Sequence, residues 1–121
     1  MRQFMLILQE SPQDFAQVTP DEMQRIIERY SAWSAGMAER GRMVDGIKLQ
    51  EEGGRVLSRN GGRNSVRDGA YAEAKEVIGG IFVIRAEDYD DAAALALECP
   101  HLEYGTILLR EIHDLGNDGS A

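Results

Sequence analysis

His101 is the side chain best suited to moving a proton near neutral pH, because an unperturbed imidazole changes charge between about pH 5 and 8. A carboxylate holding one ring nitrogen would orient it and leave the other for a substrate. Asp68 and Glu73 are the carboxylates suited to that task, and Asp68 with His101 is the candidate catalytic pair. Tyr71 and Tyr104 offer amphipathic walls for a cleft, each with a hydroxyl that reaches a ligand or water. Glu73 and Lys75 would complete a polar cluster, with Lys75 neutralising an acid or binding a carboxylate. A plainer arrangement uses the same residues structurally. In it Asp68 forms an Asx turn and caps a short helix over Ala72 to Val77, Glu73, Lys75 and Glu76 lie on that helix's solvent side, and His101 is incidental.

Cys99, His101 and Glu103 alternate, so an extended segment would project all three to one side. Zinc, however, takes roughly three or four protein ligands, Pro100 interrupts the segment, and His113 is the only other histidine. No metal and no cofactor are expected, and Cys99 fits the role of a small buried hydrophobe. Neither GxGxxG, a P-loop, HExxH, GxSxG nor CxxC occurs, so nucleotide, zinc-protease, serine-hydrolase and thioredoxin chemistry have no local support.

Such groups need a scaffold, and the apolar pattern supplies one. Phe4 to Leu8, FMLIL, is too short for a helix and suits a strand buried on both faces. Thr19-Pro20-Asp21-Glu22 has the form of a capping box with proline at the first helical position. Met23, Ile26, Ile27, Tyr30, Trp33 and Met37 follow at helical spacing as one apolar stripe, in which Tyr30 and Trp33 are expected to pack the core, and Gly41 ends the helix. Met43 to Leu49 is mixed in polarity and suits an edge strand. A short polar hairpin is expected near Val56 to Ser58 and Ser65 to Arg67, between glycine pairs at 53–54 and 61–62. Arg55, Arg59, Arg63 and Arg67 recur every four residues there. The glycines argue against a helix that would align them, so a solvated hairpin is expected, with an anion-binding patch as the alternative.

The stretch Asp68 to Gly80 then breaks the pattern, and its double glycine is expected to redirect the chain into a second apolar strand, Ile81 to Ile84. A helix capped near Asp88 over Tyr89 to Glu98 ends at Pro100, and Thr106 to Ile112 forms a last strand. Residues 1–113 thus make one domain and 114–121 a frayed polar tail. The order predicts an α+β, ferredoxin-like (split βαβ) domain with an inserted β-hairpin, its two apolar strands side by side in the middle. Two helices cover one sheet face only, yet both central strands carry apolar residues toward the other. A homodimer with its sheets face to face, a dimeric α+β barrel, is therefore expected.

Composition narrows the setting. With 121 residues, 43% of them hydrophobic and 28% charged, the chain matches one ordinary domain, which buries about two-thirds of its unfolded surface. No apolar run is long enough to span a membrane. A net charge of −8 disfavours nonspecific nucleic-acid binding. The single cysteine and the missing signal peptide favour a cytoplasmic location.

Asp68-Gly69-Ala70-Tyr71-Ala72-Glu73-Ala74-Lys75-Glu76, followed by Gly79-Gly80 and an apolar strand, closely resembles the signature of the DGPF branch of the YCII-related family. The Tyr30-to-Gly41 helix end, the Cys99-Pro100 step and the Gly105-to-Ile112 strand with its Arg110 extend the resemblance over nearly the whole chain. It implies the ferredoxin-like dimeric α+β barrel and adds Arg110 to Tyr71, Glu73, Lys75 and Tyr104 as ligand-binding candidates. The family's Pro and Phe are replaced by Ala70 and Tyr71, which removes a fixed φ and adds a hydroxyl. In the YCII branch a His in the first helix and an Asp before the post-helix Pro form an implied catalytic pair. The corresponding positions look like Tyr30 and Cys99, so that pair is absent here.

Two function classes follow. In the first, the dimer binds a small organic molecule in a cleft between sheet and helices, with proton-transfer chemistry at His101. In the second it is a non-catalytic regulatory or interaction module associated with transcription, since members of the family occur beside or fused to sigma factors. An exposed apolar patch outside the dimer interface would favour the second.

Overall fold

The computed structural model describes residues 1–11, 17–50, 53–69 and 77–114. The FMLIL run lies in β1 (Arg2–Glu10), where side chains divide by parity: Phe4, Leu6 and Leu8 are buried, while Met5 and Ile7 are only partly so. β1 pairs antiparallel with β5 (Val77–Ala86) on one side and β6 (Gly105–Glu111) on the other, and β2 (Met43–Lys48) pairs with β5 as an edge strand. The order β2-β5-β1-β6 puts the two apolar runs in the centre. Gly79 and Gly80 lie inside β5 instead of turning the chain. Gly80 is there for close approach, since a methyl would stand 2.6 Å from the Ile47 carbonyl, whereas one at Gly79 would meet the end of the Glu10 side chain.

α1 (Pro20–Glu39) starts with the expected capping box, the Glu22 N–H donating to Thr19 Oγ1 and the Thr19 N–H to the Glu22 carboxylate. It ends where Gly41 takes a φ of 70°. α2 (Tyr89–Ala96) is capped by Asp88, whose carboxylate accepts the Asp91 N–H at 2.8 Å. Met37 of α1 and Ala92, Leu95 and Ala96 of α2 close over Phe4, Leu6, Leu8 and Ile84, so both helices cover the same sheet face. Met5, Ile7, Ile47, Ile81, Val83 and Leu108 pair with one another in register on the opposite face.

Asp91 joins three elements, accepting from the Glu87 N–H and from Arg42, whose guanidinium also donates to the Arg85 carbonyl. The Glu87 N–H first, and then Arg42, hold its carboxyl below the usual aspartate range. A depressed carboxyl contributes stability above its unfolded pKa, and that contribution is lost as pH falls through the folded value. Melting profiles should therefore show Asp91→Asn less stable than wild type at pH 6, with the gap narrowing below about pH 4.

β3 (Arg55–Asn60) and β4 (Arg63–Asp68) form a separate two-stranded hairpin, longer than the sequence pattern predicted. Gly61 and Gly62, with φ of 57° and 81°, make its two-residue turn. Strand alternation splits the arginines. Arg55 and Arg59 share a face with Leu57 and its cross-strand partner Val66, while Arg63 and Arg67 lie on the other. The four do not form one patch.

Candidate functional site

β1 and β6 are paired up to Glu10 and Gly105, and a 3-10 turn over Pro100–Glu103 leads from α2 into that end of the sheet. The turn carries His101 beneath α1, with 1% of its surface exposed. Its Nε2 lies 2.8 Å from the Gln9 carbonyl oxygen, and its Nδ1 lies 2.8 Å from the Tyr30 hydroxyl. A carbonyl can only accept, so Nε2 carries the hydrogen of the neutral ring, and Nδ1 is left to accept the hydroxyl proton of Tyr30. The result is a directed chain, from Tyr30 O–H to His101 Nδ1 and from His101 Nε2–H to the Gln9 carbonyl.

Gly105 makes this arrangement possible. A methyl there would collide with the Gln9 carbonyl oxygen and stand 3.0 Å from His101 Nε2. The turn is braced from outside by Arg29 of α1, whose guanidinium reaches Glu103 at 3.1 Å, and from within by the Tyr104 N–H donating to the His101 carbonyl.

Burial raises the Tyr30 phenol far above its ordinary range, and the negative forms of Cys99, Glu10, Tyr104 and Glu103 push the same way. Tyr30 therefore holds its proton at neutral pH. Burial likewise raises the Cys99 thiol, against a smaller opposing hydrogen bond from the His101 N–H, so Cys99 is a buried neutral thiol. One turn along α1 from Tyr30, Trp33 packs edge-on against Phe82 at 5.0 Å. Its Nε1–H is buried with no acceptor among the described residues.

Asp68 does not orient His101, since both ring nitrogens are already taken by Tyr30 and Gln9; it sits exposed at the end of β4, opposite Arg55. Tyr71, Glu73 and Lys75, with the short helix over Ala72 to Val77, fall outside the described residues up to Val77, which begins β5. Tyr104 lies directly after the 3-10 turn and beside the site. Arg110 is exposed on β6 opposite Met5, four residues beyond the Thr106 that pairs with Gln9, or about 14 Å along the strand. Cys99, His101 and Glu103 do not share a side, because the segment coils as a 3-10 turn, where residues two apart diverge. No group of metal-ligating side chains forms among the described residues.

Tyr30 packs against the core as its place on the apolar stripe predicts, and its hydroxyl takes the added role of bonding His101. A tyrosine in place of phenylalanine on a buried stripe is itself a signal, since a buried phenol needs a partner. Among known families, the model of the YCII-related domain matches residues 2–115, a span that takes in every described strand and helix and the whole Tyr30–His101–Gln9 chain. No curated protein matches the chain.

Proposed function

The chain belongs to the YCII-related domain family, and from that premise we propose that it is a cytoplasmic homodimer that binds a small organic molecule and moves a proton through Tyr30 and His101. The observation that carries this reading is the buried His101 ring, saturated between the hydroxyl of half-buried Tyr30 and a main-chain carbonyl. The Gln9 carbonyl neither gains nor loses a proton, so Nδ1 is the basic atom and Tyr30 is its outlet. A proton leaving the bound molecule passes to the Tyr30 oxygen as the hydroxyl's own proton passes to Nδ1. The imidazolium that results donates to Gln9 and back to Tyr30, and the reverse transfer returns the proton. Tyr30 is a relay in this scheme and never a free phenolate, in keeping with its raised pKa. Glu10 and Glu103, which disfavour an anion on Tyr30, likewise favour an uncharged ligand over a carboxylate. The Trp33 Nε1–H, one helical turn away and without an acceptor among the described residues, supports a polar ligand atom in the same region.

The strand order β2-β5-β1-β6 with both helices on one face supports the ferredoxin-like arrangement. The face away from the helices supports the dimer. Ile47 and Leu108 there are 47% and 44% exposed, at the flanks of a patch continued by Met5, Ile7, Ile81 and Val83. A second copy would bury it as a dimeric barrel. A monomer at micromolar concentration by light scattering overturns this assembly.

A thermal-shift screen of neutral and anionic metabolites tests the site. A true ligand at about 100 times its Kd stabilises the fold by about 2.7 kcal/mol. That shift is expected with wild type, favouring neutral compounds, and is expected to vanish in Tyr30→Phe and His101→Ala. A shift that survives both substitutions places binding elsewhere.

A further inference from the structure

Among the described residues the β3–β4 hairpin lacks what ordinarily holds such an element in place. Two strands alone are marginally stable in water, and among those residues these two pair only with each other. Every residue of both strands is exposed except Val56, which is partly buried. Leu57 and Val66 face each other across the pair and are 71% and 58% exposed, the more conspicuous because the other face of the hairpin is mostly polar. Charge is distributed just as unevenly. Residues 55–68 hold four arginines and one aspartate, a net of +3, of which the face with Arg55, Arg59 and Asp68 carries +1, and this leaves −11 on the rest of a chain whose total is −8.

We propose that the hairpin face bearing Arg55, Leu57, Arg59 and Val66 is an arm that docks on the acidic body of a second copy of this chain. The proposal rests on the homodimer inferred above and adds a contact outside the sheet faces. An apolar pair flanked by guanidinium groups fits a surface that is apolar at its centre and carboxylate-rich around it. The body of this chain supplies such acids along α1, where Asp21, Glu22, Glu28 and Glu39 are exposed and outnumber the exposed Arg25 and Arg29. A second copy is thus a partner of opposite charge at equal concentration. Reach is sufficient: strands of six residues extend about 20 Å, enough to cross roughly four neighbouring strands. Exchange of two arms is reciprocal, as twofold symmetry requires, so each dimer gains the contact twice.

Sedimentation equilibrium at low and high salt tests the arm. Leu57→Asp/Val66→Asp is expected to weaken dimerisation at least about tenfold. Arg55→Glu/Arg59→Glu should do the same at low salt and remove most of the salt dependence seen with wild type. Circular dichroism should be unchanged, because neither pair touches the core. Ile81→Asp, on the outer sheet face, reads the homodimer separately. If wild type dimerises, Ile81→Asp dissociates it and both hairpin variants keep the wild-type Kd, the arm is refuted while the sheet-face dimer stands. If wild type is a monomer, both are overturned.

Discussion

Gly105→Ala is expected to lower the melting temperature by roughly 10–15 °C, the largest loss from any single added methyl group in the site. The added carbon would collide with the Gln9 carbonyl oxygen across the β1–β6 pair, and a main-chain atom cannot swing aside as a side-chain tip can. Overpacking of this kind costs about 1–3 kcal/mol, and pushing the carbonyl away from His101 Nε2 strands a buried donor for about 1–3 more. Gly36→Ala is the control. It lies in α1 with nothing within 4 Å of the added methyl, so it should stabilise the helix slightly, by about 0.5–1 kcal/mol. Equal melting of Gly105→Ala and wild type would show that the strand end relaxes freely, and the His101–Gln9 bond would then not be a fixed feature of the site.

Why that glycine mattered could not be seen from the chain alone, and the reason separates the legible parts of this protein from the rest. FMLIL and IFVI announced central strands because runs lacking polar residues can be satisfied only where both faces are covered. Thr19-Pro20-Asp21-Glu22 announced the start of α1 because each residue does a separate local task within one turn. Both signals are local, and both survived folding. The Gly79–Gly80 pair misled for the same reason: glycines are turn-formers by local rule, and only the neighbouring strands reveal that here they admit Glu10 and Ile47.

The site depends on contacts that are not local. Tyr30 and His101 are 71 positions apart, and His101 and Gln9 are 92 apart. A main-chain acceptor such as the Gln9 carbonyl has no residue type to betray it. The carboxylate partners expected for His101 followed from chemistry, which correctly asked for an orienting group but could not know that a carbonyl would fill the place. Likewise the four-residue arginine spacing matched a helix, and strand alternation in the hairpin divided the set between two faces. Tyr30 of the first helix sends its hydrogen bond into the turn after the second helix, two residues past Cys99.

Removing that imidazole is the second large effect. His101→Ala should cost about 3–4 kcal/mol, because a side chain of that size leaves a cavity and two polar groups lose their partner. Tyr30→Phe alone should cost about 1 kcal/mol, the loss of one hydrogen bond. Denaturant unfolding of both single variants and the double then reads the pair directly. In the His101→Ala background Tyr30→Phe should cost almost nothing, giving a coupling of about 1 kcal/mol, whereas strict additivity would mean that the two groups do not interact. Unfolding above about pH 10 reads the burial of the Tyr30 phenol separately from its bond to His101. A phenol whose folded pKa is raised keeps its proton where the unfolded chain releases it, so its contribution is full below the unfolded pKa and is lost as pH rises. Wild type should therefore lose stability on the alkaline limb faster than Tyr30→Phe. The raised Cys99 thiol adds its own alkaline loss to both proteins alike, so the difference between the two slopes belongs to Tyr30.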